Sequence, residues 1–376
     1  MGEPACDVNM HTVYDDRTHV YMKPDMYVGD SSQIPRDEVI LNLESMHMEE
    51  RRINFPRACE RLFLEILSNA SDNIHRSRMV NVDPGCIDIK MNGNMITVTN
   101  YGCGIPIVIH HSYNIYVPEM IFSTLYSIYS YVSIESMASN GLGAKVVNIF
   151  SSKFRVIIYD HINHLKYTQT WNDNMKIRQD PIIEPYQGEI SSVQVRYRMD
   201  FNRFGLEEGY SSDIFGLFAR HAADVSFTKK TTILFNCQEI NAANIKDYAK
   251  LCLNKSEGIV RQQWVSNDNN IENLPELEFI VVHTPNQAKR ISFVNGIRTS
   301  NGGVHMDAVL RKIHRSLSYT YDKKYLNSHI SVIVSYNPKC PRFSNQCKDR
   351  LVSPTPNINN LCNCVVEQLS LVPHDH

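Results

Sequence analysis

Residues 65–73, E-I-L-S-N-A-S-D-N, constrain this chain more than any other stretch. Wound as a helix at about 100° per residue, they set Glu65, Asn69, Asp72 and Asn73 on one narrow polar face. Phe63, Leu67, Ala70 and Ile74 form the opposite stripe, fit for a core. Two carboxylates and two amides aimed at one place suit a cation, with a water that Glu65 can deprotonate. An exposed amphipathic face is the plain alternative on this segment alone.

Around that helix, expected over 57–74, the pattern alternates between helix and strand. Residues 1–30 read as a turn-rich arm, because Pro24 and Gly29 interrupt them. Residues 87–99 predict a hairpin: Ile87, Ile89 and Met91 alternate, Asn92-Gly93 signals a type I′ turn, and Ile96 and Val98 resume the alternation. An apolar helix is expected over 118–131 and another opening near 138–145. Strands are expected across 154–198, at 277–283, 290–294 and 330–336, and a basic-faced helix over 306–317. This order predicts an α+β sandwich rather than a doubly wound parallel sheet. A change of character near residue 250 divides the chain into domains at 1–250 and 251–376. The first carries 24 Lys+Arg against 30 Asp+Glu and the second 14 against 10. The mildly basic second part permits contact with a polyanion without requiring it. No apolar run is long enough for a transmembrane helix. Ten cysteines without a C-x-x-C pair read as free thiols.

Three loops carry further chemistry. Residues 100–106, N-Y-G-C-G-I-P, follow a strand; Gly102 and Gly104 let backbone approach a flat ligand, and Asn100 has both a donor and an acceptor for a purine edge. A simple strand-end turn fits the same residues. Residues 140–145, N-G-L-G-A-K, lead into a helix, offering N–H groups and the Lys145 ammonium to phosphates, although they are not a Walker A loop. Gln346 and Lys348 lie in what is otherwise an ordinary polar loop.

Taken in order, these motifs resemble the GHKL ATPase superfamily, and in detail the N-terminal ATPase region of eukaryotic-type (type IIA) DNA topoisomerase II. The matching segments are K-P-D-M-Y-V-G, L-F-L-E-I-L-S-N-A-S-D-N, Y-V-P-E-M-I-F, N-G-L-G-A-K-V-V-N-I-F-S, Q-T-W-N-D-N-M, I-S-F-V-N-G-I-R-T-S-N-G-G-V-H-M-D and F-S-N-Q-C-K-D, which span about 20–350. The resemblance implies a GHKL (Bergerat) sandwich followed by a smaller α/β transducer domain, and ATP with Mg2+ as ligands.

By the same resemblance Glu65 is the general base and Asn69 the Mg2+ ligand, flanked by Asp72 and Asn73. Asn100 reads adenine, in a pocket shaped by Gly102, Gly104 and Ile105. The lid, Ala138, Ser139, Asn140, Gly141, Leu142, Gly143, Ala144 and Lys145, wraps the phosphates, and Lys348 with Gln346 reaches the terminal one. Ile128, Tyr129 and Ser130 stand where the family has Ser-Ser-Asn at the ribose. The lid reads M-A-S-N-G-L-G instead of G-G-R-N-G-Y-G, and Cys347 replaces threonine. These departures bear on nucleotide affinity and lid motion.

The implied partners are a second copy, joined through an ATP-closed N-gate, double-stranded DNA within that gate, and the cleavage core of the same polypeptide. His11 or Tyr14 is the expected residue reaching the other subunit, and Lys323 and Lys324 face either DNA or solvent. No membrane partner is implied. The expected location is nuclear, or the cytoplasmic site of viral DNA replication. No acidic Mg2+ domain or cleavage tyrosine is expected after Leu351, so this chain is expected to power strand passage rather than to cut DNA. An ATP-gated dimerising clamp with little or no hydrolysis is the other reading.

Overall fold

The structure, a computed structural model, describes residues 14–125, 142–207, 209–253, 259–265, 276–284, 286–319, 321–344 and 348–358. Helices α1 (Asp16–Met22) and α2 (Pro24–Tyr27) come first, then strands β1 (Arg36–Asn42) and β2 (His47–Ile53). Helix α3 (Arg57–Met79), β3 (Ile87–Asn92), β4 (Met95–Tyr101), α4 (Val117–Ser123) and α5 (Gly143–Ile149) follow. Next are β5 (Ser151–Asp160), β6 (Leu165–Asn172), β7 (Ile177–Arg178), β8 (Ile182–Pro185) and β9 (Ser192–Met199). Helix α6 (Ser212–Lys229), β10 (Ile233–Phe235), β11 (Gln238–Ile240) and α7 (Ile245–Cys252) lead to β12 (Ile259–Val265), β13 (Leu277–His283), β14 (Arg290–Val294) and β15 (Ile297–Arg298). The remainder is α8 (Val304–Leu317), α9 (Lys323–His329), β16 (Ile330–Tyr336), β17 (Arg342–Phe343) and β18 (Leu351–Ser353). The mixture is α+β, as expected.

Contacts divide the described residues into two compact units. The first draws on Met1–Arg36, Asn54–Asn73 and Lys90–Tyr210, the second on Asp37–Ile53, Ile74–Ile89 and Ser211–His376. In the first, β9 lies between β4 and β5, and β5 pairs β6, all antiparallel; β7 and β8 both pair β6. Strand β5 alternates cleanly, burying Phe154, Val156 and Ile158 while Arg155, Ile157 and Tyr159 stay partly exposed. Phe154 sits edge-on to Trp171 and near Phe122, so sheet and helix α4 share one apolar layer.

In the second unit the start of β3 pairs β10 in parallel and β10 pairs β11 antiparallel. A separate five-stranded sheet runs β12-β13-β16-β14-β15. Its centre, β16, is buried at all seven positions, which is why I-S-V-I-V-S-Y reads as a continuous apolar run. Its Ser331 is satisfied: Oγ accepts from Lys289 N at 2.8 Å and bonds Thr284 Oγ1 at 2.6 Å. Met306, Val309, Ile313 and Leu317 recur at helical spacing along α8 and close that sheet's core.

A buried charge cluster also lies in this unit. Asp224 accepts from Arg220 (2.8 Å), Tyr248 (2.6 Å) and Arg298 (3.4 Å). Burial is the largest influence on its carboxyl and raises its pKa, but Arg298 and Arg220 outweigh it and leave it below the usual range.

The sequence expectations need four corrections. The arm contains helix α1, capped by Asp15 accepting from Thr18 N and held by Tyr21 stacking on Phe150; this tertiary docking outweighs the turn signals downstream. Helix α3 runs five residues past Ile74, to Met79. Helix α4 stops at Ser123, where Thr124 turns extended; residues 126–131 of the expected helix lie outside the described residues. At the hairpin only Gly93 has positive φ, 56°, so the turn lacks the two left-handed residues of type I′.

Candidate nucleotide site

Helix α3 supplies the first wall. Its buried stripe is wider than expected: Leu62 and Ile66 join Phe63, Leu67, Ala70 and Ile74. Asn69 is exposed, and Glu65 and Asp72 are half-buried. Asn73 departs from this face, being 4% exposed, with Nδ2 donating to Tyr101 O at 2.6 Å. Eight residues at about 100° carry it roughly 80° round from Glu65, toward the sheet. There its amide tethers the end of β4, where the glycine loop begins.

That loop is tightly fixed. Asn100 lies opposite Val193 of β9 and is half-buried. Gly102 has φ 92°, a conformation that side-chain-bearing residues resist. A Cβ on Gly104 would stand 3.0 Å from Ser191 Cβ, so only glycine allows this approach without a shift. Ile105 is buried. Ile107 N donates to Asp160 Oδ2 (3.1 Å), which also accepts from Asn163 Nδ2 (2.6 Å). Asp160 Oδ1 takes the Ile162 and Asn163 amides. Burial, the largest influence, raises the Asp160 pKa, yet these four hydrogen bonds bring it below its ordinary value.

Helix α5 supplies the third wall. Its first residue, Gly143, abuts Glu65: a Cβ there would fall 3.2 Å from Glu65 Cδ and closer still to Oε2. A carboxylate and a backbone N–H end, 78 positions apart in sequence, thus meet. Ala144 is buried, and Lys145 is 1% exposed, where burial lowers its ammonium pKa to about 8. Asn148, fully buried, donates to Phe122 O at 3.1 Å and ties α5 to α4.

Glu65, Asn69, Asp72, Asn73, Asn100, Gly102, Gly104, Ile105, Leu142, Gly143, Ala144 and Lys145 all belong to the first unit. Ile128, Tyr129, Ser130, Ala138, Ser139, Asn140, Gly141 and Gln346 lie outside the described residues, as does His11. Lys348 belongs to the second unit, with φ 56° and its Nζ 6.0 Å from the Phe343 ring centroid. Lys323 and Lys324 line an open concavity with Asn327 and Ser328, also in the second unit. Tyr14 is exposed.

Several contributors escaped the sequence reading. Arg61 Nε pairs with Glu65 Oε1 at 2.7 Å, and its i,i+4 spacing was a usable signal. Asp160 at the end of β5 and Ser191 just before β9, which brace the glycine loop, are distant in sequence and left no local signature. Among the described residues no group of three His, Cys, Asp or Glu side chains gathers to hold a metal. No described helix is long and apolar enough to cross a membrane.

One helix carboxylate beside an exposed amide, a glycine-shaped loop after a strand, and a helix N-terminus with a lysine define a GHKL-type ATPase fold. The 43K ATPase domain of Thermus thermophilus gyrase B shares that fold, at a TM-score of 0.61 over 90% of this chain and 84% of that one, with 18% identity. A DNA gyrase B family model matches residues 244–370. DNA topoisomerase 2 of Candida glabrata is 29% identical over 96% of this chain. The crystallised ATPase region of Saccharomyces cerevisiae topoisomerase II aligns with a TM-score of 0.75 and 28% identity, covering 92% of this chain and 90% of that one. The chain is thus similar to the N-terminal ATPase region of eukaryotic-type DNA topoisomerase II. It spans about a quarter, 27%, of the length of the Candida relative.

Proposed function

We propose that this chain binds and hydrolyses Mg-ATP, dimerises on binding it, and couples both events to DNA strand passage by a cleavage core. The observation that carries the reading is the meeting of Glu65 with Gly143 at the start of α5. It sets a base where the terminal phosphate of a nucleotide on α5 would lie. The donor set fits such a ligand: an exposed Asn69 amide, the half-buried Asn100 and the glycine loop supply polar and flat surfaces, and Lys145 a cation.

Glu65 deprotonates the attacking water. Arg61, on the turn before, holds its carboxylate in place. Asn100 orients the adenine edge. Lys145 and the N–H groups at the start of α5 take phosphate charge, which is the greater part of catalysis in phosphoryl transfer. Asn69 would hold Mg2+ through its Oδ1, and the ion would supply positive charge to the phosphates when bound. Asp72 supports that position from the same face. The functional division follows the sequence, with an ATPase domain at 1–250 and a transducer at 251–376. The roles of Lys348 and Gln346 at the terminal phosphate, and of the partner subunit and DNA, rest on the family resemblance.

Glu65→Ala tests the reading. Turnover is expected to disappear while affinity for a non-hydrolysable ATP analogue stays within a few-fold of wild type. Wild-type turnover in that variant would refute the assignment. The altered lid sequence favours one other reading, a clamp that closes on ATP without hydrolysing it.

A further inference from the structure

The turn after β6 is unusual for a connection this short. Asp173, Asn174 and Met175 have φ of 48°, 57° and 64°, three successive non-glycine residues in the left-handed region. Asn and Asp tolerate that conformation, whereas Met does not favour it. Such strain persists only where surrounding contacts over-determine it, and it gathers at working sites.

Here the contacts converge on Asn174, which is 6% exposed. Its Nδ2 donates to Ile149 O, the last carbonyl of α5, and to Asp200 Oδ2, both at 3.0 Å. Its backbone N donates to Ser151 O, and the preceding Asp173 N to Ser152 O. Its own carbonyl accepts from Arg17 Nη1 of α1 at 3.1 Å. Asp200 Oδ2 also accepts the Tyr21 hydroxyl at 3.0 Å, and Tyr21 O accepts from Arg203 Nη2 at 3.0 Å. Burial and then the Asp200 carboxylate raise the Tyr21 pKa, so its hydroxyl stays a donor. The Tyr21 ring stacks on Phe150, the residue just after α5, with centroids 5.8 Å apart. One carboxylate and one amide thus join the C-terminal end of α5 to helix α1.

The other end of α5 abuts Glu65. Seven residues of helix, about 10 Å long, therefore separate the proposed phosphate site from the root of the N-terminal arm. A helix that short transmits displacement as a rod, because packed elements shift as units instead of deforming.

We propose that Asn174, with Asp200 and Tyr21, forms a positioning node through which the nucleotide-dependent position of α5 sets the position of helix α1. The inference rests on the nucleotide reading above. Asn174 and Tyr21 touch no substrate; they act through α5.

The test is amide hydrogen exchange of residues 16–22 in the full chain, with and without Mg2+ and a non-hydrolysable ATP analogue, while analogue binding is titrated separately. The analogue is expected to change wild-type exchange there by at least about fivefold, the lower end of ordinary coupling between sites. Tyr21→Phe deletes only the hydroxyl and keeps the ring on Phe150. Asn174→Gly keeps the left-handed backbone and deletes the amide. Both are expected to bind the analogue within about threefold of wild type yet lose the exchange response. A merely structural node would move exchange equally with and without the analogue. A response retained in Tyr21→Phe and Asn174→Gly overturns the inference, as does a wild-type chain that binds without responding. A wild-type chain that does not bind overturns the nucleotide reading and this inference with it, and the separate titration tells the two failures apart.

Discussion

Gly143→Ala isolates the contact on which the functional reading turns. Gly143 opens α5 without a left-handed φ, so alanine fits its backbone, and the N–H that would face phosphate is kept. The added methyl, however, falls 3.2 Å from Glu65 Cδ and inside van der Waals contact of Oε2. The Glu65 side chain is flexible and 22% exposed, so it can yield. The fold therefore stands, and helix propensity even favours alanine. The carboxylate must retreat by roughly 1 Å, and a misplacement of that size costs about a hundredfold in rate. That corresponds to about 2.7 kcal/mol of barrier. We expect steady-state phosphate release to fall about a hundredfold, with melting temperature unchanged or raised and analogue affinity within a few-fold of wild type. Turnover within threefold of wild type would show that Glu65 does not act from the position it holds beside α5, and would refute the reasoning.

Three further outcomes are expected. His305 is fully buried and its pKa lies at about 4, below an ordinary 6.5, chiefly through burial. The unfolded chain therefore takes up a proton first, and up to about 3 kcal/mol of stability is lost as pH falls from 6.5 toward 4. Urea midpoints at pH 7 and 4.5 should show this loss in wild type and much less of it in His305→Gln. Lys145, with its pKa near 8, loses its proton as pH rises through that value. Analogue affinity should then weaken by up to about tenfold per pH unit above 8, a slope that titration calorimetry should find absent in Lys145→Met. Asp224→Ala strands the Arg298 and Arg220 guanidinium groups in a buried site and should cost about 3–5 kcal/mol in chemical denaturation; a loss under 1 kcal/mol would show that solvent reaches the cluster.

Much of this fold was legible because the periodic signals were strong. The bounds of β13, β14 and β16 matched the expected strands, each an apolar run too short for a helix. The α3 core stripe was visible for the same reason. What stayed hidden depends on tertiary partners. Helix α1 is short, and it forms because Tyr21 docks on Phe150 and Asp200, residues more than a hundred positions away. The burial of Asn73 and Lys145 follows from the sheet and from α4, which no local window contains. The Asp224 cluster pairs α6 with β15 across 74 residues. Within the site, composition and spacing pointed to Glu65, Asn69 and the glycine loop, whereas the residues that brace them, Ser191, Asp160 and Asn148, are ordinary polar residues in sequence.

Phosphate release from Mg-ATP by the purified chain, read beside its mass in solution with a non-hydrolysable analogue, tests the hydrolytic role of Glu65 most directly. Release together with analogue-driven dimers is the predicted result. Dimers without release would contradict the hydrolytic role of Glu65 and leave a clamp; neither dimers nor release would contradict the nucleotide site itself.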